Sequence, residues 1–367
     1  MRKKNGAEKY IYGGKIFQPL VRFAMPVLFA LCLQALYGAV DLLVVGQFGT
    51  AADVSAVATG SQMMHMVTTV ITSLAMGTTI LVGQAIGSGK QEEAGDIIGS
   101  SICFFAVLAL AVTGLIMVAA EPFAVLLNAP EEAFSRTVRY VLICSAGTVF
   151  IVAYNVLGSV FRGIGDSTTP LLSVLFASIF NVAGDLIFVA GFHMAAGGAA
   201  LATVLAQAFS VILCLFVIRK RGLPFAFGRR NVRFRGRVIA RIVKVGLPIA
   251  LQDGLVSLSF LAINAIVNSL GVVASAGVGV AEKICSFIML VPSAFSQSLS
   301  AFVAQNIGAG KPKRARRAMV CGIFPWGYSG RHFCVPERGY RGSGGLSEIL
   351  RDRHDDRVIP VLLYRVF

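Results

Sequence analysis

The chain has 367 residues, of which 56% are hydrophobic and 14% charged, with a mean hydropathy of +0.76 and a net charge of +15. That is more apolar surface than a soluble core of this size can hide, so lipid is the expected surrounding. The positive charge does not signal nucleic acid, because the basic residues sit in short segments between apolar runs and form no continuous face.

In chain order, the apolar runs predict helices over residues 17–46, 54–86, 97–119, 138–160, 170–191 and 198–218, followed by 245–270 and 275–306. Runs without Asp, Glu, Lys or Arg, such as Val54 to Gly89 and Leu186 to Ile218, exceed the roughly 18 residues that a bilayer span needs. The basic start (Arg2, Lys3, Lys4) leads into the first span with no small-residue cleavage site, so no cleavable signal is expected. Basic residues then recur at Lys90, Arg162, Arg219 to Lys244 and Lys311 to Arg317, at alternate ends of successive spans, which assigns those ends to the cytoplasm. The opposite loops, over 47–53, 121–134 and 191–197, contain no Lys or Arg, although Arg136 and Arg139 lie just beyond the second of them and break the pattern. Eight spans return the tail to the side on which the chain begins, so both termini are expected in the cytoplasm of a multi-pass membrane protein.

The segment 219–244 carries ten basic residues and separates a six-helix unit, 1–218, from a second unit, 245–320. It reads as a solvated cytoplasmic linker, with contact to anionic lipid as the alternative. A repeat supports the division: Gly83-Gln-Ala-Ile-Gly-Ser-Gly-Lys90 returns as Ala304-Gln-Asn-Ile-Gly-Ala-Gly-Lys311, an offset of 221, and Pro26 returns as Pro248, an offset of 222. The two units are expected to be parallel copies about an axis along the membrane normal. After Cys321 the pattern stops, since the longest remaining charge-free run, 318–330, is too short to span and holds Gly322, Pro325 and Gly327. Residues 321–367 are therefore expected to form a non-membrane tail, either the product of a frameshift or truncation or a genuine variant. The fold class that results is an all-α polytopic membrane protein, a six-helix amino lobe plus the first two helices of a repeated carboxy lobe.

Enzymatic chemistry finds no foothold. The glycine–lysine segments lack the first glycine and the Ser/Thr of a phosphate loop, and Gly163-Ile-Gly165 follows a helix, not a strand. Neither a cofactor nor a metal centre is expected: the cysteines form no C-x-x-C pair and the four histidines are scattered. The informative residues are acids inside spans, which are expensive in lipid and functional by default. Asp41 lies toward the outer half of the first helix, fifteen positions after Pro26, which can bend it. Asn181 and Asp185 share a face of the fifth helix, and Thr203 enters the sixth at similar depth. Four such groups on three helices suit one cavity, where desolvation disfavours a charged carboxylate and makes proton binding possible; hydration of Asp41 or Asp185 at the outer interface is the alternative. Asp253 reads as a residue near the cytoplasmic start of its helix, favoured by the helix dipole.

The order and spacing of Val40-Asp-Leu-Leu-Val-Val-Gly46, Gly83-Gln-Ala-Ile-Gly87, Arg162-Gly-Ile-Gly-Asp166 with Pro170, Asn181-x-x-x-Asp185, Gly198-Ala-Ala-Leu-Ala-Thr203 and Gly246-Leu-Pro248 resemble the multidrug and toxic compound extrusion (MATE) family. The resemblance implies twelve helices in two six-helix lobes and export by alternating access, driven by a proton or sodium gradient. It also implies a cation site at Asp41, Asn181, Asp185 and Thr203, a bending position at Pro26, and an amino-lobe substrate cavity lined by Gln34, Tyr37 and Asn155, each of which could equally serve as an inter-helix hydrogen bonder. Met63, Met64 and Met66 suit an adaptable drug surface or ordinary packing. The expected partners are a small-molecule drug and the lipid bilayer, with the protein a monomer and not an enzyme. A lipid-linked oligosaccharide flippase of the same superfamily, or an inactive truncated membrane fragment, are the alternatives.

Overall fold

A computed structural model describes residues 16–323 except 128, 226, 229, 270 and 271. All regular structure among them is helical: α1 (Phe17–Phe48), α2 (Ala51–Gly87), α3 (Gln91–Leu126), α4 (Glu131–Ala146), α5 (Thr148–Ile164), α6 (Thr168–Asp185), α7 (Ala195–Arg221), α8 (Gly236–Ser269), α9 (Val272–Gly308) and α10 (Pro312–Ile323). A π-helical segment, Leu186–Gly191, prolongs α6. Among the described residues, seven helical segments are long and apolar enough to cross a membrane, and the bent pair α4–α5 passes the same test when taken together, as a broken span or a re-entrant loop.

Local chemistry sets several of the boundaries. Thr50 and Asp53 form a reciprocal capping box at the start of α2. Arg136 on α4 reaches the same corner, 2.6 Å from the Asp53 carboxylate. One of the two arginines that break the charge pattern is thus paired with an acid at the helix end. At the close of α5, Gly165 takes φ +90°, with Gly165 N donating to Arg162 O and Asp166 N to Phe161 O, a Schellman ending that favours glycine. Asp166 then turns its carboxylate to the backbone N–H groups of Thr168 and Thr169, both at 3.0 Å, and so starts α6.

Helix α3 runs past the expected 97–119 at both ends, and the spans differ from expectation in three further places. The expected helix 138–160 begins earlier, at Glu131, and breaks at Gly147 with a 51° bend into α5. The break sits where α7 comes closest, since a Cβ on Gly147 would stand 2.3 Å from the Val204 side chain. Helix α8 starts at Gly236 rather than 245, because the helix continues into water through Arg237, Arg241 and Lys244. Finally, the basic stretch after Lys311 is helix α10, which passes residue 320 and packs Ala315, Ala318 and Cys321 against Leu20, Leu299 and Phe302. The rest of the expected tail, 324–367, lies outside the described residues, as do residues 1–15.

Helix α2 is the central post, packed against α4 and α5 of its own unit and against α8 and α9 of the second. Helix α1 lies between α6 and α9, and α7 closes the first unit against α6, α5 and α4. Met63 and Met64 are buried in the cluster that joins α2 to α4 and α7, so packing accounts for them.

Candidate functional site

Helices α1, α6 and α7 bring Asp41, Asn181, Asp185 and Thr203 together. Asp41 is 4% exposed, and Asn181 and Asp185 are fully buried. Thr203 Oγ1 donates to Asp41 Oδ2 at 3.2 Å. The carboxyl groups of Asp41 and Asp185 are neighbours, with Asn181 beside Asp41. Asp41 Oδ1, both amide atoms of Asn181 and both carboxyl oxygens of Asp185 are shielded from solvent without a hydrogen-bond partner. Two adjacent carboxylates in such a place repel one another unless one of them takes up a proton or a cation lies between them. The donor set, carboxyl, amide and hydroxyl oxygens, suits either a proton or a hard cation. The π-helical turn begins immediately after Asp185; such widened turns recur at functional sites.

A second layer lies one helical turn toward the α1 amino end. Tyr37 precedes Asp41 by four residues, Gln207 follows Thr203 by four, and Gln207 Nε2 donates to Tyr37 Oη at 3.3 Å. Gln207 Oε1 is shielded and unpaired. Gln34 sits half-buried on α1 three residues before Tyr37, and Pro26 lies further along a helix that runs unbroken through it. Asn155 stands apart: it accepts from Thr72 Oγ1 at 2.8 Å and donates to Ile151 O at 2.8 Å, a tie between α5 and α2.

Sequence reasoning missed Gln207 and Tyr140. The buried Tyr140 ring lies over Gly60, where a Cβ would stand 2.4 Å from it, and it packs in one cluster with Val44 and Val45, the turn after Asp41 on α1. Gln207 could have been found from its four-residue spacing to Thr203; Tyr140 carries no comparable signal. Asp253 is corrected: it lies seventeen residues into α8, not at its start, half-buried and accepting a hydrogen bond from Ser73 of α2.

Comparison with known proteins places this geometry. The MatE family model matches residues 26–187 and 248–325. A probable multidrug resistance protein, YpnP of Bacillus subtilis (strain 168), is 29% identical over 302 residues, which are 82% of this chain and 67% of that protein. An FAD transporter of Shewanella oneidensis is 25% identical over 311 residues, 83% of this chain and 68% of that one. The chain therefore spans about two thirds of the length of these relatives. Among solved structures, MATE in the bent conformation superimposes with a TM-score of 0.81 at 21% identity, covering 88% of this chain and 72% of that one. An outward-facing multidrug resistance MATE family transporter gives 0.79 with the same identity and coverage.

Proposed function

The chain belongs to the MatE family of membrane transporters, and from that premise we propose that it exports amphipathic or cationic drugs across a bacterial inner membrane in exchange for protons or sodium ions, with both termini in the cytoplasm. The observation that carries the proposal is the buried cluster of Asp41, Asn181, Asp185 and Thr203, with its unpaired oxygens. A cation entering from outside is held by Asp41 and Asp185 and relieves their mutual repulsion. Helix α1, which carries Asp41, Tyr37 and Gln34, is thereby drawn against α6 and α7, and the cavity lined by Tyr37 and Gln34 changes shape. Ion binding and drug release are in this way linked through one helix. Two carboxylates in the cavity support a cationic cargo better than the anionic cargo of an FAD transporter, and better than the anionic headgroup that a flippase handles.

The test is gradient-driven ethidium efflux from cells expressing the chain. Asp41→Asn and Asp185→Asn are expected to lose efflux while inserting into the membrane in wild-type amount. Efflux at the wild-type rate in both variants, or none from the parent chain, would overturn the assignment. Reporter fusions at the two ends read the orientation in the same cells.

A further inference from the structure

The two repeats meet along a seam in which backbone touches backbone. Helix α8 crosses α2 antiparallel, and the approach is reciprocal. A Cβ on Gly77 would stand 2.4 Å from the Ile242 carbonyl oxygen, and one on Gly246 would stand 2.3 Å from that of Leu74. Helix α9 crosses α2 in parallel with the same reciprocity: 2.1 Å from a Gly87 Cβ to Gln305 O, and 2.1 Å from a Gly308 Cβ to Gln84 O. Gly87 and Gly308, like Gln84 and Gln305, are related by the repeat offset of 221. The second crossing is therefore self-complementary about the axis that relates the units. Gln305 Nε2 adds a 2.8 Å bond to Gly163 O. At the cytoplasmic rim Glu93 pairs with Arg241 at 3.1 Å, and Asp96 holds Asn231 at 3.0 Å together with Arg235.

At mid-depth, where this seam ends, buried Ser73 donates to the carboxylate of Asp253. The repeat does not require that bond. The positions equivalent to Asp253 and Ser73 by the offsets of 222 and 221 are Leu31 and Ala294, both apolar. An acid placed mid-helix on only one side of a pseudo-symmetric seam points to a task beyond holding the fold.

With the α2–α8–α9 seam, where the two repeats meet, as the inner gate that alternating access implies, we propose that the Asp253–Ser73 bond is the latch that sets how often it opens. The proposal rests on the transporter reading above. Glycine surfaces suit a gate because they pack closely without ordering long side chains, and they part as rigid faces. The latch suits its place because both groups face water once the helices separate, so opening exchanges one hydrogen bond for hydration. A bond to a charged acceptor of this kind shifts such an equilibrium by about tenfold.

Hydrogen–deuterium exchange of the full chain in lipid nanodiscs tests this without labels. Ser73→Ala and Asp253→Ala are expected to speed exchange about tenfold across residues 74–87 and 296–308, while residues 148–164 keep the parent rate. Asp253→Asn, which can still accept from Ser73, is expected to fall between. Gly87→Leu, for which the closed seam has no room, is expected to lose protection at 84–87 and 305–308. Unchanged exchange in both alanine variants would overturn the latch. Exchange that rises equally over 148–164 would mark general loosening and overturn it too, as would Asp253→Asn behaving like Asp253→Ala. Because the readout is exchange and not efflux, the gate and the drug assignment fail independently.

Discussion

Gln207 stands one turn from Thr203 on α7, gives its amide N–H to Tyr37 and leaves its own carbonyl oxygen shielded and unpaired. An unmet buried acceptor costs about 1–3 kcal/mol, so the residue is destabilising unless a donor reaches it during the cycle. Gln207→Leu is expected to melt in detergent at or slightly above the parent temperature, yet to slow ethidium efflux several-fold. A large fall in melting temperature would instead make Gln207 a packing residue. The buried cluster of Asp41, Asn181, Asp185 and Thr203 was legible in the sequence because ionisable groups in apolar runs are rare and expensive, and spacing put Asn181 and Asp185 on one face. Asn155 was ambiguous for a physical reason: an amide within a span satisfies itself equally well against a ligand or a neighbouring helix, and here it bonds to Thr72. Tyr140 was hidden because a buried phenol in an apolar run resembles any other core aromatic.

At the level of elements, hydropathy located the spans but not their interruptions. Gly147 lies inside a charge-free run, so nothing in composition marks the 51° bend that it permits. The bend is fixed instead by tertiary contact, the approach of Val204 to a position with no room for a Cβ. Gly147→Ile should then overpack this crossing and destabilise the protein by about 1–3 kcal/mol, with Val204→Ala in the same chain restoring part of the loss. Thermal unfolding of the two single variants and the double variant measures the coupling, and purely additive effects would mean that the bend does not depend on this contact. Helix α10 and the first turns of α8 were unreadable for the opposite reason. Their arginines and lysines lie in water, so a test for apolar runs sees loop where the backbone is helical.

For the whole molecule, the decisive feature is that the two long helices of the second unit, α8 and α9, have unequal halves. In the halves that hold the seam, Ile242 and Ala250 of α8 and Ala294, Phe302 and Asn306 of α9 are buried, α8 packing against α2 and α9 against α1 and α2. Away from the seam, Leu255 and Ile266 of α8 and Ile284 and Ile288 of α9 are all more than half exposed. Among the described residues, those outer halves meet no second layer of helices. In the relatives, about a third of the length lies beyond the part that this chain matches. Helix halves with few neighbours among the described residues keep their hydrogen bonds in a bilayer but open more readily in detergent, where local opening follows contact density. Proteinase K digestion after transfer to a short-chain detergent is therefore expected to cut first within 251–266 and 284–291, with 17–221 and the inner halves 239–250 and 294–306 outlasting them. Mass spectrometry of the fragments reads that order directly. Equal survival of the outer and inner halves would show that the two helices stand as a finished unit, and the seam with α2 would then not be what anchors them.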